Sequence, residues 1–360
     1  MIGLTRADRL IARQVLGATL LALAIFIGID ALSAFIREID EIGEGNYTLM
    51  MAVTYIAYTI PRRIYELFPM ASAIGAAMGL GGLAPTSELT ALRAAGWSKG
   101  RLCLGALVPV ALASLIVFGI GESIGPWGER AAQGVAIGAK SRDLVTTNAS
   151  GIWARDGEDL LNAKRGAFVE GEVELVDARL FRFDPEGRLL SITQGEKARH
   201  DAGGWRFSGV RRFRFDPEAV ATEALPEWRW EVKLDPALIA MSVVRPRYQA
   251  LVELREHIAY LERNRLDAQP FRSAFWARWF YPLGVLATAL LAMPFAFSAL
   301  RSGGFGKRLF VGLVISIGFY YLQSAFVNAV ELADGPLPLA YAVPPLLALG
   351  SAFFWLRRSF

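Results

Sequence analysis

Histidine and cysteine are almost missing from this chain, which has two of the first and one of the second in 360 residues. The lone Cys103 cannot form an intramolecular disulfide, and its place in an apolar run marks it as a small buried residue, not a reactive thiol. His200 and His257 have no companions at metal-ligand spacing, so no metal site is expected. An excess of one charge is lacking too. The formal surplus is only +4, and although the pI is near 9.2, the positions of the basic residues explain it better than nucleic-acid binding does. What the chain has instead is long stretches without charge. With 54% apolar residues and a mean hydropathy of +0.35, it is too hydrophobic for an ordinary soluble protein.

Apolar runs fall at about Val15–Ile36, Ile64–Ala84, Leu102–Gly121, Phe280–Leu300, Leu309–Val330 and Leu339–Leu356. Each is close to the roughly 20 residues that a helix needs to cross about 30 Å of hydrocarbon. Lipid gives backbone groups no water to bond, so only helices or closed barrels span it. The layout predicts three spans, a polar domain, and three more spans. Basic residues cluster at Arg6, Arg9 and Arg13, at Arg93, Lys99 and Arg101, at Arg301, Lys307 and Arg308, and at Arg357 and Arg358. The opposite short loop, Glu331–Pro338, has no Lys or Arg. By the positive-inside rule both termini are inside and the central domain outside, with Arg37, Arg62 and Arg63 running against the trend. The first run exceeds a usual h-region and leads into the acidic stretch Glu38–Glu44, so it is not read as a cleaved signal peptide.

Between spans two and three, Pro85–Arg101 holds a short helical pattern that Thr86 or Ser87 can cap and Gly96 can stop. Leu89 and Leu92 share one face, with Glu88 near it. A connector resting on headgroups and a docking helix for a cytoplasmic partner both fit. Gly75 and Gly79, four apart in span two, allow close approach of another helix. Pro61 and Pro69 are expected to kink or break that helix, leaving Tyr47–Ile60 along the interface. In the central domain the period changes to two, at Val173–Val176, Leu180–Phe183, Trp205–Phe207, Val210–Phe215 and Trp228–Leu234. Asp184–Gly187 and Asp201–Gly204 are turn signals. The string Phe-Arg-Phe-Asp-Pro-Glu occurs at Phe181–Glu186 and again at Phe213–Glu218, as a repeated strand-plus-turn unit or by coincidence. The module is all-β, most simply a jelly roll or open sandwich. After Pro246 a helical period returns, leading to an interfacial aromatic belt of Phe275, Trp276, Trp279 and Tyr281.

Two patterns imitate enzyme motifs. Gly121-Glu122-Ser123-Ile124-Gly125 fits G-x-S-x-G, but a nucleophile elbow needs a strand-to-helix turn on a parallel sheet and a His partner. Gly303–Arg308 resembles part of a phosphate loop, yet Arg301 and Arg308 stand where the Walker pattern requires Gly and Ser or Thr. Basic residues at the proposed outer surface are candidates for phosphate binding, because Arg holds phosphate bidentately; snorkelling to lipid headgroups is the alternative. Glu122, Gln323 and Asn328 lie in or near spans and favour a protein interior or a wet cavity.

At Phe68-Pro69-Met70-Ala71, Ser87-Glu88-Leu89, Arg93–Trp97, Gly151–Gly157, Pro282-Leu283, Leu291–Phe295 and Pro344-Pro345 the chain resembles the lipopolysaccharide-export permease family LptF/LptG. Gly43–Tyr47 and Leu300-Arg301-Ser302 place it nearer the LptG branch. The resemblance implies an α+β membrane protein: six transmembrane helices with a periplasmic antiparallel β-jelly-roll domain inserted between helices 3 and 4. Its segments would be 1–139 (helices 1–3, with a coupling helix near 86–97), 140–245 (jelly roll), 246–270 (connecting helix) and 271–360 (helices 4–6). It implies a multi-pass protein of the bacterial inner membrane with both termini cytoplasmic. The implied partners are an LptF-like permease, an LptB-like ATPase dimer carrying the ATP and Mg, LptC and an LptA-type bridge. The cargo is lipopolysaccharide, and no cofactor is bound by this chain.

Glu88, with Leu89, Leu92 and Arg93, is the expected ATPase contact. Arg37, Arg62, Arg63, Arg130, Lys140, Arg142 and Arg278 are the lipopolysaccharide-binding candidates, and Phe181, Phe183, Phe213 and Phe215 are candidates for a periplasmic lipid path. The chain departs from the family in its acidic segment after span one and in Gln133 and Ala136, where the LptG branch has Arg. The phosphate contacts have then moved to Arg130, Lys140 or Arg142, or the lipid A carries less charge. Against the exporter stand a membrane-anchored hydrolase using Ser123 and a periplasmic scaffold.

Overall fold

A computed structural model describes residues 5–43, 47–139, 152–156, 158–169, 172–201, 204–216, 219–230, 245–264, 266–298 and 305–358. The expectations placed on Lys140 and Arg142 lie outside these residues. The chain divides into two compact units. One comprises Met1–Ser33, Ile60–Gly125 and Arg272–Phe360, and the other Ala34–Thr59 and Pro126–Phe271.

Apolar sequence becomes long helix. Helices α1 (Arg6–Ile39) and α2 (Leu49–Gly82) each run 34 residues, about 50 Å at 1.5 Å per residue. Pro61 and Pro69 lie inside α2, contrary to the expected break, so the segment after Tyr47 is the start of the same helix. The local bonding explains how Pro69 is tolerated. Proline cannot donate to the Tyr65 carbonyl, and the Tyr281 hydroxyl donates to that oxygen instead, at 2.8 Å. After the short α3 (Glu88–Ala94) come α4 (Lys99–Glu122) and α5 (Ile124–Ala139). Beyond the β domain follow α6 (Leu251–Arg263), α7 (Gln269–Trp279), α8 (Tyr281–Ser298), α9 (Phe305–Leu332) and α10 (Leu337–Arg358).

Among the described residues five helices are long and apolar enough to cross a membrane. The α7–α8 pair, bent by 56°, makes a sixth if taken as one span. In the first unit α2 is the hub. A Cβ on Gly79 would stand 2.5 Å from the Val15 Cα of α1, and one on Gly312 of α9 would stand 2.9 Å from the Ile74 Cα of α2. Those glycines set the close approaches, around a core that includes Ile11, Leu80, Leu102, Val285 and Met293.

Among the described residues six antiparallel strands form one sheet in sequence order: β1 (Ile152–Asp156), β2 (Asp159–Val169), β3 (Glu172–Phe183), β4 (Leu189–Asp201), β5 (Gly204–Asp216) and β6 (Ala219–Trp230). The Asp184–Gly187 turn is present, with Gly187 at φ +82 and its amide donating to the Asp184 carbonyl at 2.9 Å. Segments read as separate strands merge: Val173–Val176 with Leu180–Phe183 in β3, and Trp205–Phe207 with Val210–Phe215 in β5. A row of residues crosses the sheet in register, Lys164, Asp177, Glu196, Gly209 and Pro226, and none of them is bridged to its neighbour. Asp177 and Gly209 there adopt φ +50 and +62, and Pro226 has no N–H to donate. The row inserts one residue into each alternation, so the buried set steps from Leu175 to Ala178 and from Phe207 to Val210.

The sheet is rolled. Trp230, at the end of β6, donates its indole N–H to Asp159 at the start of β2, at 2.8 Å. Leu161, Leu180, Phe207, Trp205 and Trp230 are buried inside, with Tyr260 of α6 packed against them. The expected jelly roll is therefore seen only as a rolled antiparallel sheet. The described strands meander, and the Greek-key connections of a jelly roll do not occur among them.

Candidate functional site

Helix α3 is short but well fixed. Ser87 precedes it at φ +60 without a side-chain cap, so the expected Ser capping bond is not formed. Its far end is closed as expected by Gly96. That residue adopts φ +89, its amide donates to Arg93 at 3.0 Å, and Trp97 donates to Leu92 at 3.1 Å. This paired arrangement satisfies two carbonyls at a helix C-terminus. Leu89 is fully buried in the core of the helical unit, and Leu92 and Trp97 pack against that core. Thr90, Ala91, Arg93 and Ala94 are exposed, and Glu88 is half-buried. Of the four residues expected to meet a partner, Leu89 and Leu92 thus anchor the helix inward, while Glu88 and Arg93 remain accessible. Next to it, Arg101 donates to Asp8 at 2.8 Å and stacks on Trp97, 4.7 Å from the ring centroid. This joins the starts of α1 and α4.

A second cluster surrounds Arg278, in the last turn of α7. Its Nη1 donates to Glu122 at 2.6 Å and to the Gly121 carbonyl at 2.9 Å. The guanidinium lies over the Tyr65 ring, 5.1 Å from its centroid. Tyr65 in turn stacks on Tyr281 at 4.0 Å and within 15° of parallel. The arrangement ties α2, α4 and the α7–α8 bend together. Arg63 is likewise buried and ion-paired to Asp30 of α1. Arg130, exposed on α5, pairs with Glu253 of α6. Arg62 is half-buried, and Arg37 is exposed near the end of α1.

Arg63, Arg130 and Arg278 therefore hold carboxylates of this chain, and of those acids Asp30 and Glu253 were missed by sequence reasoning. Asp30 sits in the first apolar run, where an ionisable side chain is by itself a signal for a partner. Glu122 is paired, as its preference for a protein interior predicts. Ser123, the residue of the hydrolase reading, ends α4 with its hydroxyl donating to Gly119 at 2.7 Å, and no parallel strand pair exists among the described residues.

In the β domain, Phe181 and Phe213 flank Ile192 in one register row. With Phe183 and Phe215 they belong to the face opposite the buried core. Trp153 stacks on Phe181 at 6.3 Å. The same outer face carries a charged row, Glu174, Arg199, Arg206 and Arg229, in register. Burial would push the Glu174 carboxyl up, but bonds from Lys197 and Arg199 outweigh it and hold it below the ordinary carboxylate range. No group of His, Cys, Asp and Glu among the described residues is arranged to hold a metal ion.

Residues 9–358 match the family described as "Lipopolysaccharide export system permease LptF/LptG". The chain is 28% identical to the lipopolysaccharide export system permease protein LptG of Escherichia coli (strain K12) over 354 residues, covering 97% of this chain and 95% of that protein. It is 29% identical to the protein of that name from Haemophilus influenzae over 358 residues, covering 98% of each. A multi-pass helical chain with an inserted antiparallel β domain, matched along nearly its whole length, belongs to the LptF/LptG family of lipopolysaccharide export system permeases.

Proposed function

We propose that this chain is the LptG-type permease subunit of an ATP-driven exporter that extracts lipopolysaccharide from the outer leaflet of the inner membrane and passes it to a periplasmic bridge. It works beside an LptF-like permease over an LptB-like ATPase dimer, with LptC and an LptA-type bridge downstream. It binds no cofactor, and ATP and Mg belong to the ATPase. The bent α7–α8 pair counts as the fourth of six spans, both termini are cytoplasmic, and the β domain is a periplasmic roll of the jelly-roll type. Its segments divide at 139/140, 245/246 and 270/271.

The observation that carries this reading is the build of α3. A helix locked by Leu89 and Leu92 into the helical core, with Glu88 and Arg93 accessible, can pass movement of a docked ATPase directly to α2 and α4. The chain supplies no chemical step; its work is a change of cavity shape. Expelling a multi-acyl lipid into water costs about 0.8 kcal/mol per exposed methylene. Phe181, Phe183, Phe213 and Phe215 give the cargo an apolar path that reduces this cost. Arg37, Arg62, Arg63, Arg130, Lys140, Arg142 and Arg278 are the candidates for the cargo's phosphates, with Arg63, Arg130 and Arg278 reaching them only by sharing or exchanging their carboxylate partners.

Native mass spectrometry of the tagged chain, gently extracted from its own membrane, tests the assembly. The expected particle holds two ATPase copies, one related permease and bound lipopolysaccharide. A lone chain or a self-dimer in every mild detergent refutes it. Within the assembled particle, Glu88→Ala is expected to uncouple ATP hydrolysis from lipid release, and unchanged coupling would remove α3 from the mechanism.

A further inference from the structure

Three arginines converge at one end of the rolled sheet, where sequence pattern predicts only strands. Register explains it. Arg182 pairs with Ser191 and Ser191 with Arg214, while in the next row Leu180 pairs with Thr193 and Thr193 with Arg212. Residues in register share a face, and this is the inner one, continuous with buried Leu180 and Val210. The three guanidiniums, the two hydroxyls and Trp228 line a cavity of about 300 Å³ that Leu180 and Leu190 complete.

Charge in this cavity is only partly compensated. Asp159 takes Arg182 by two bonds of 2.8 Å, and Glu223 stands opposite Arg212. Arg214 has Ser191 and Ala221, not a carboxylate, as its directly opposite register neighbours. Arg212 lies over Trp228, 4.6 Å from the ring centroid, with Nε 3.4 Å from the Thr193 hydroxyl. Its acidity reports the crowding. Burial lowers its pKa, Glu223 opposes that, and the charges of Arg214 and Arg182 lower it further. An anion between the guanidiniums would relieve this repulsion, and Arg presents two parallel donors to a phosphate or carboxylate. The cavity is too large for a bare phosphate. Trp228, Leu180 and Leu190 add apolar walls suited to the C–H faces of a sugar ring.

We infer that this end of the β roll is a binding site for a phosphorylated saccharide. The anion chemistry stands on the cavity itself; the source of the ligand rests on the export function proposed above. In an exporter the phosphorylated sugar is the headgroup of the lipid cargo, and the other source is a soluble sugar phosphate.

The full chain in lipid nanodiscs is titrated with glucosamine 1-phosphate, with N-acetylglucosamine as the neutral control, by saturation-transfer NMR. The phosphate ester is expected to bind and the neutral sugar not to. Arg214→Gln and Arg212→Gln should each weaken binding at least tenfold, with the β-domain circular dichroism unchanged. Equal binding by wild type and Arg214→Gln, or no binding by wild type at millimolar ligand, overturns the site. A photo-crosslinking residue at position 190, activated in cells, then separates the sources. Captured lipopolysaccharide supports the headgroup, whereas binding in nanodiscs without capture during active export assigns the site to a soluble sugar phosphate and overturns the cargo assignment. The nanodisc titration needs no ATPase, so it reads the site whether or not the exporter assembles.

Discussion

Removing the carboxylate of Glu122 strands a buried guanidinium, and the consequence can be estimated. The Arg278 side chain is 6% exposed, that of Glu122 20%, and their closest atoms are 2.6 Å apart. Two unit charges about 4 Å apart at an effective dielectric near 20 attract by about 4 kcal/mol. Breaking a buried pair by deleting one partner costs about 3–5 kcal/mol, because the remaining charge has lost its compensation. At about 2–4 °C per kcal/mol for a large domain, Glu122→Gln is expected to lower Tm by roughly 6–20 °C. Replacing both partners is far milder. Glu122→Gln with Arg278→Met removes the stranded charge and leaves chiefly the Gly121 carbonyl without its donor, a loss of about 1 kcal/mol. The assay is a double-mutant cycle on the full chain in nanodiscs, with melting followed by intrinsic fluorescence. A Glu122→Gln chain that melts within 2 °C of wild type would refute the reasoning. So would a double variant whose loss equals the sum of the two singles.

Gly79→Ala places a Cβ 2.5 Å from the Val15 backbone and is expected to cost about 1–3 kcal/mol by overpacking; Gly17→Ala, with nothing within 4 Å, should not destabilise, and equal melting of the two would deny the close contact. Gly96→Ala puts a side chain at φ +89, a cost of about 1–2 kcal/mol, so the Trp97 amide should exchange with solvent about tenfold faster. Unchanged exchange would mean that the end of α3 tolerates a Cβ. Glu174 has a lowered folded pKa, so its contribution to stability is present above the ordinary carboxylate range and is lost as pH falls through that lowered value. Melting of the β domain between pH 7 and pH 3.5 should therefore be steeper in wild type than in Glu174→Gln, and identical slopes would remove this pair from the acid response.

The membrane layout was legible because length and apolarity alone dictate a span, and among the described residues most of each apolar run is helix. The course of α2 was not, since proline propensity is local whereas the Tyr281 hydroxyl that serves the freed carbonyl comes from 216 residues away. Helix α3 was readable from Gly96, whose φ admits little else, but the spacing of Leu89 and Leu92 showed only that they share a face, and that this face turns inward is a matter of tertiary packing. The ion pairs were half legible. Arg63 stood out as a cation against the positive-inside trend and Arg278 as a basic residue at the outer surface, but their partners Asp30 and Glu122 are fixed by helix packing, which no local pattern encodes. In the β domain, period two found β3, β5 and the end of β6, did not single out β1, β2 or β4, and lost continuity at Asp177 and Gly209, where one unbridged residue reverses the phase. The arginine cavity was invisible for the same reason, because Arg182, Arg212 and Arg214 share a face only once strand register is known.

The unbridged row across the β roll makes the module tolerant of substitution and intolerant of changes in length. Deleting Asp177 or Gly209 would turn every later side chain of that strand to the other face, sending Leu180 or Val210 outward and Phe181 or Phe213 inward. Adjacent strands would still carry their own extra residue, so the damage could be undone only by matching deletions in all five. A lineage can exchange side chains along this line one at a time. It can shorten the strands there only all together, which makes their length between the turns an inherited constant of the domain.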